Sequence, residues 1–203
     1  MTKMKFWELM DEFRDKSNGN DELFLQYAHE YLNNCNIEDI YYFSGYLGAY
    51  MESANESIWV DMACKVINGY VSDDTGLYFT LWLISQGEEV LLKALSDPDS
   101  LVEVPNIPFG NAEFELLMSV TYELLGEEID IEKNSSIQMK CLEIITPDIK
   151  YKDNDKYGNY ESFEDGMEDV PNILPKLIER AALENSLNRS PLTGITWGLF
   201  YLG

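Results

Sequence analysis

Apolar residues recur at intervals of three and four along the first two-thirds of the chain, and this spacing limits the fold more than any other feature. Such a repeat places apolar side chains on one face of an α-helix, whereas a half-buried strand alternates every second residue. Residues that favour helix ends punctuate the stripes, with Asn20, Asn36 and Ser57 at N-termini and Gly69 and Gly126 at C-termini. The successive stripes are Phe6, Leu9, Met10 and Phe13; Leu23, Phe24, Tyr27, Ala28 and Tyr31; Ile37, Ile40, Phe43, Ser44 and Leu47; Trp59, Met62, Ala63, Val66 and Ile67; and, in a helix opened by Asn111, Phe114, Leu117, Met118, Thr121, Tyr122 and Leu125. We therefore predict an all-α fold, a single domain of stacked amphipathic helices.

The composition changes after residue 126, where Asp, Glu, Asn and Lys become frequent. Within this part, IQMKCLEII (137–145) partly alternates and fits either a strand or a short helix. The segment VPNILPKLIERAALENSL (170–187) predicts a helix, with Pro171 or Pro175 in its first turn. We predict a helical domain over 1–126, followed over 127–203 by a less regular acidic segment and a C-terminal helix packed on the same domain.

The charge balance limits the classes of partner. The chain has 37 Asp and Glu against 14 Lys and Arg, a formal net charge of −23. This charge repels phosphate backbones and anionic lipid surfaces, so we expect neither nucleic acid nor membrane as a partner. The N-terminus becomes charged before any apolar stretch of signal-peptide length, and the three cysteines have neither zinc-site nor disulfide-framework spacing. These features predict a cytoplasmic protein.

Two adjacent acids, Asp73 and Asp74, precede an aromatic and aliphatic run and allow two interpretations. In the first, Ser72 caps a helix and the acids interact with its free N–H groups, which typically contributes about 0.3–1 kcal/mol. In the second, the paired carboxylates hold a metal ion or exchange a proton, with one pKa raised by repulsion. The helix-capping interpretation accounts for the local sequence without further partners, and we favour it.

Several ordered motifs resemble a known family. They are FWELMDEF (6–13), IWVDMACKVINGYVSDD (58–74), YFTLWLISQG (78–87) and LSDPDSL (95–101). Together, over roughly residues 4–126, they are similar to the bacterial domain of unknown function 4240 family, and the PDSL turn is the most distinctive piece. The resemblance implies no established activity, cofactor or catalytic residue.

The chain departs from that family's pattern at two places. Thr75 and Gly76 follow the acid pair where members usually have Gly-Phe, and Thr80 stands where an arginine usually follows the Tyr-Phe pair. If the arginine serves a family activity, this chain lacks it. The matching positions Asp73, Asp74, Tyr78, Phe79 and Trp82 remain candidate surface or core positions, and the binding candidates among them are Asp73, Asp74, Tyr78 and Trp82.

Other chemistry has little support in the sequence. His29 is the only histidine, and its position off the apolar stripe predicts a surface side chain, so a His-based triad is not expected. The segment DNDKYGNYESFE (153–164) partly matches the order of a calcium loop, with Asp153, Asp155 and Glu164 as candidate ligands. Its fifth position is Tyr157, however, where an oxygen ligand is expected, and a solvated acidic loop is the favoured interpretation. No phosphate-binding loop is present, and we expect no cofactor.

Three functions remain open at this point. The favoured one is a non-catalytic interaction or regulatory module that binds a basic protein, for instance by neutralising a toxin. The alternatives are a metal- or water-dependent enzyme using Asp73 and Asp74, and calcium binding by the 153–164 loop. For a basic partner we expect contributions from acids of the C-terminal third, while the acidic excess could also serve solubility alone. The contributing acids would be Asp153, Asp155, Glu161, Glu164, Asp165, Glu168 and Asp169. The sequence leaves the oligomeric state open.

Overall fold

The computed structural model describes residues 1–126, 129–152 and 167–187, and within these ranges the chain is helical and contains no β-strand. The all-α prediction is confirmed. Short 3-10 turns cover Pro98–Glu103, Glu115–Met118, Thr146–Asp148 and Met167–Asp169. The α-helices are α1 (Lys3–Ser17), α2 (Asp21–Leu32), α3 (Ile37–Asn55), α4 (Ile58–Asn68), α5 (Asp73–Ser85), α6 (Glu88–Ser96), α7 (Ser119–Leu125), α8 (Ile131–Ile145), α9 (Val170–Ile173) and α10 (Pro175–Leu187).

Most of the predicted helix ends are confirmed. The side-chain oxygen of Asn20 accepts the amide of Leu23 at 2.8 Å at the start of α2, and Asn36 begins α3 in the same way. Gly69 ends α4 with a φ of +82°, a conformation that favours glycine. The predicted cap at Ser57 is wrong in one respect. It occupies the N-cap position of α4, but its buried hydroxyl makes no capping bond and no hydrogen bond within the described part of the chain.

The predicted helix start at Asn111 is wrong. The backbone amides that follow it are used in contacts with other segments, since Ala112 N donates to the side chain of Asn68 at 2.8 Å and Phe114 N donates to Tyr78 O at 3.0 Å. Helical structure begins only at the 3-10 turn from Glu115, and α7 follows from Ser119. Tertiary hydrogen bonds here replace those of the expected first turns.

Helix α5 lies at the centre of the domain. Every residue from Phe79 to Ser85 is buried, so this part of α5 has no single apolar face. A helix enclosed on all sides by neighbouring helices shows this pattern. The helix ends at Ser85, and Gly87, with a φ of +104°, then redirects the chain into α6.

Segment 137–145, which fitted either a strand or a helix, is helical and belongs to α8. This helix packs closely on α3 because two glycines leave room for it. A Cβ at Gly45 would lie 2.9 Å from Cγ2 of Ile137, and one at Gly48 would lie 2.7 Å from Oε1 of Gln138. Ile137 and Cys141 therefore reach the same core as the aromatic residues of α1 and α3.

The predicted C-terminal helix is confirmed as α9 and α10, with Pro175 at the first position of α10. Two polar contacts hold α10 against the 3-10 turn after α6. The buried carboxylate of Asp99 accepts the amide of Leu177 at 2.9 Å, and the guanidinium of Arg180 donates to the carbonyls of Val102 and Val104, each at 2.6 Å. Asp99, the acid of the PDSL motif, thus caps a distant helix.

Candidate functional site

The acid pair lies at the exposed N-terminus of α5. Ser72 Oγ accepts the amide of Thr75 at 3.3 Å, and Thr75 Oγ1 accepts the amide of Ser72 at 2.7 Å, which is a reciprocal capping box. Asp73 and Asp74 occupy the first turn beside the free N–H groups, and both are exposed. This geometry agrees with the capping interpretation of SDDT.

A third carboxylate, that of Asp61 on α4, lies beside this turn, and the sequence did not predict it as part of the site. Its Oδ1 faces Gly76 of α5, where an added Cβ would be 3.2 Å away. Partial burial, followed by repulsion from Asp73, raises the pKa of Asp61 to about 6. A carboxylate on another helix therefore interacts with Asp73, and a single aspartate within an amphipathic stripe gave no signal of this.

Two tyrosines extend the acidic surface. The phenol of Tyr78 donates to Glu115 at 2.9 Å, and the phenol of Tyr70 donates to Glu113 at 3.0 Å. Each hydrogen bond to a carboxylate raises the pKa of its phenol. Trp82, the remaining binding candidate, is 6% exposed and packs against Phe79, so it belongs to the core and not to this surface.

Asn68 holds the acidic surface together from beneath. Its buried amide donates to Ala112 O at 3.3 Å and accepts from Ala112 N at 2.8 Å, which fixes the segment that carries Glu113 to the end of α4. Cys64 lies one helical turn earlier, and burial raises its pKa to about 12. Its thiol is therefore not an activated nucleophile.

We call this surface the acid–tyrosine patch. None of its carboxylates forms an ion pair with a residue that the structure describes, whereas acids elsewhere, such as Glu12 with Lys16 at 2.5 Å, often do. The patch can accept hydrogen bonds and attract cationic groups, and its phenols add apolar contact area. The patch consists of Asp61, Tyr70, Asp73, Asp74, Tyr78, Glu113 and Glu115.

The proposed calcium ligands Asp153, Asp155 and Glu164 lie outside the described residues, as do most of the C-terminal acids expected to meet a partner. Of those acids, Glu168 and Asp169 form a short turn before α9, and Glu168 is exposed. Among the described residues, no group of three or more His, Cys, Asp or Glu side chains is arranged to hold a metal ion.

The single histidine lies at a helix interface and is less exposed than the sequence indicated. His29 of α2 is 28% exposed in its side chain, and its Nε2 is 3.4 Å from a carboxylate oxygen of Glu123 on α7. No nucleophilic side chain is bonded to it in the described structure. The three cysteines are free thiols.

A separate groove of about 610 Å³ lies between α3, α7 and α8. Its walls include Leu47 and Met51 of α3, Met118 and Tyr122 near α7, and Ile131 of α8. The sequence placed Met118 and Tyr122 in a core-facing stripe, but they are 44% and 65% exposed. Residues expected in the core therefore form an open apolar surface.

Comparisons with known proteins identify a family without an assigned activity. No curated protein and no solved structure matches the chain. Within the described residues, no helix has the length and apolar character needed to cross a membrane. Residues 1–125, more than half of the 203-residue chain, match the family model described as "Protein of unknown function (DUF4240)" and include the patch and all helices through α7. The chain belongs to the DUF4240 family.

Proposed function

We propose that this protein is a non-catalytic interaction module that binds a basic protein through the acid–tyrosine patch. The observation that carries the proposal is the set of patch carboxylates without ion-pair partners among the described residues. In a chain of net charge −23, cationic groups of a partner would supply the missing counter-charges. Neutralisation of a basic toxin is one activity of this class.

The patch has the physical properties of a protein-binding surface. Tyr70, which is 47% exposed, and Tyr78 present rigid aromatic rings whose hydroxyls are oriented by Glu113 and Glu115. Tyrosines and arginines are enriched at interface hot spots because they combine apolar area with hydrogen bonding. Charge would accelerate association, and the aromatic contacts would then determine the lifetime of the complex.

The setting that we propose is the bacterial cytoplasm. The three free thiols favour a reducing compartment, and the resemblance described above is to a bacterial family. A role in solubility alone is the competing explanation of the charge, but solubility does not require neighbouring carboxylates to collect around two oriented phenols.

The test is affinity capture from the native cell, performed in parallel with the wild-type chain and with Asp73→Asn/Asp74→Asn. We expect basic proteins to be retained by the wild type and reduced on the variant, because the patch loses two charges without losing Tyr70 or Tyr78. The control is Glu8→Gln/Glu89→Gln, which removes two exposed charges outside the patch. Equal retention by all three baits would contradict the proposal.

One observation favours a second function, an enzyme that transfers a proton to or from water or a substrate. Asp61 and Asp73 are interacting carboxylates in different environments, a combination used for acid and base roles in enzymes. In this candidate Asp61 would be the proton donor and Asp73 the base. Screening for hydrolysis with wild type and Asp61→Asn tests it, and activity that survives the substitution would exclude this assignment.

A further inference from the structure

The groove between α3, α7 and α8 is a second exposed surface with a different chemistry. Tyr122 and Ile131, which line it, are 65% and 71% exposed, and large apolar side chains gathered around one groove are typical of an interaction site. Met51 and Met118 contribute flexible, polarisable side chains that can adjust to an inserted apolar group. The groove is therefore suited to receive apolar side chains of a partner.

The secondary structure of the walls limits the form of the occupant. The groove is bounded by helices, and the described part of the chain offers no strand edge to which an extended peptide could add. Recognition by backbone pairing is thus unavailable on this surface. An amphipathic helix satisfies its own backbone hydrogen bonds and inserts apolar residues at positions i, i+3, i+4 and i+7.

The polar groups of the groove indicate the charge of that helix. Glu52 lines the groove, and exposed Asp130 lies between two lining residues, Ile129 and Ile131. Within the described structure, no lysine or arginine lines the groove. The nearby Lys133 is directed elsewhere, since it pairs with Glu38 at 2.7 Å.

We propose that this groove binds an amphipathic helix with a basic polar face. This proposal rests on the proposed function, because the helix is taken to belong to the same basic protein that contacts the acid–tyrosine patch. The apolar face of the helix would insert between Met51, Met118 and Tyr122, while its basic residues would face Glu52 and Asp130.

The test uses a labelled synthetic peptide of about 15 residues, near the length at which helices become stable. Leucines form one helical face and lysines the other, and binding is measured by fluorescence anisotropy at physiological salt. A scrambled peptide of equal composition controls for attraction of any polycation to this acidic chain. We expect the amphipathic peptide to bind at least about tenfold more tightly than the scrambled one. Equal binding of the two would overturn the proposal.

Groove variants locate the binding. Tyr122→Ser/Ile131→Ser removes two exposed apolar groups of the groove and should weaken binding by about tenfold or more. The matched control is Met139→Ser/Ile144→Ser, which removes exposed apolar side chains of α8 outside the groove and should leave affinity within about twofold. A loss of the same size in both variants would contradict the assignment, as would a groove-dependent dimer in sedimentation, which would make a second copy the occupant.

The two proposals can fail separately. Asp73→Asn/Asp74→Asn alters the patch and not the groove lining, so it should reduce capture of basic proteins while leaving peptide affinity within about twofold. Selective capture without groove-dependent peptide binding would reject the groove proposal alone. Groove-dependent peptide binding without patch-dependent capture would reject the patch proposal alone.

Discussion

Replacing Asp61 by asparagine should stabilise the protein at neutral pH. The native carboxyl is partly buried, lies near Asp73 and has its pKa raised from 3.8 to about 6. An ionised group in this position opposes folding, and an amide of nearly the same shape removes the charge. An aspartate fully exposed to solvent in the first turn of α4 would instead stabilise that helix, and its replacement by asparagine would lower the free energy of unfolding.

The size and sign of the effect follow from proton linkage. The native state of Asp61 binds a proton more tightly than the unfolded chain does, so wild-type stability falls as pH rises from about 4 through about 6. One pKa unit corresponds to about 1.4 kcal/mol, and the full difference would be about 3 kcal/mol. Solvent access to the carboxyl and the lost interaction with the helix dipole reduce the expected gain to about 1 kcal/mol above pH 7.

Urea denaturation at about pH 7.5 and pH 5 measures this gain. At pH 5 the native carboxyl is largely protonated while the unfolded one is largely ionised, so about half of the gain should remain. Asp74→Asn is the control, because Asp74 lies in the same α5 turn as Asp73 and does not raise the pKa of Asp61. A destabilised Asp61→Asn protein at pH 7.5, or a gain independent of pH, would refute the reasoning.

Three further substitutions test how α8 and α10, the helices that follow the residues matched by the family model, pack on the rest of the domain. Gly45→Ala should lower the free energy of unfolding by about 1–3 kcal/mol in urea denaturation, because the new methyl lies 2.9 Å from Ile137 on α8; a gain would show that this contact is loose. Asn134→Ala removes a buried unpaired acceptor, so it should raise the free energy of unfolding by about 1 kcal/mol more than Ser135→Ala does. Ser135→Ala is the control because it reports the change in helix propensity alone. Asp99→Ala should cost about 1–3 kcal/mol and speed hydrogen exchange in α10, whose first turn loses its acceptor; unchanged exchange there would contradict this role.

The sequence was most informative about local structure. Caps such as Asn20 and Asn36 act within one helical turn, and apolar stripes follow the period of the helix they form, so the helical order of α1–α5 could be predicted. The secondary structure of residues 137–145 could not be predicted, because their partial alternation fits either a strand or a short helix. The close approach permitted by Gly45 and Gly48 on α3 became visible only with the fold.

The candidate surfaces depend on contacts that have no local signature. The bonds from Tyr70 to Glu113 and from Tyr78 to Glu115 join residues 43 and 37 positions apart. Asp61 approaches the acid pair only because α4 packs beside α5. The groove had a misleading signature, since Tyr122 fits the apolar stripe of α7 although its side chain is mostly exposed.

The most direct test of the central claim is the salt dependence of association with a captured basic partner. Screening reduces the range of electrostatic attraction to about 8–10 Å at physiological salt, so stopped-flow association should slow as salt is raised. Neutralising Asp73, Asp74, Glu113 and Glu115 together should remove most of that dependence, while neutralising four exposed acids outside the patch should not. An association rate that is independent of salt, or a salt dependence that the patch variant retains in full, would contradict the account.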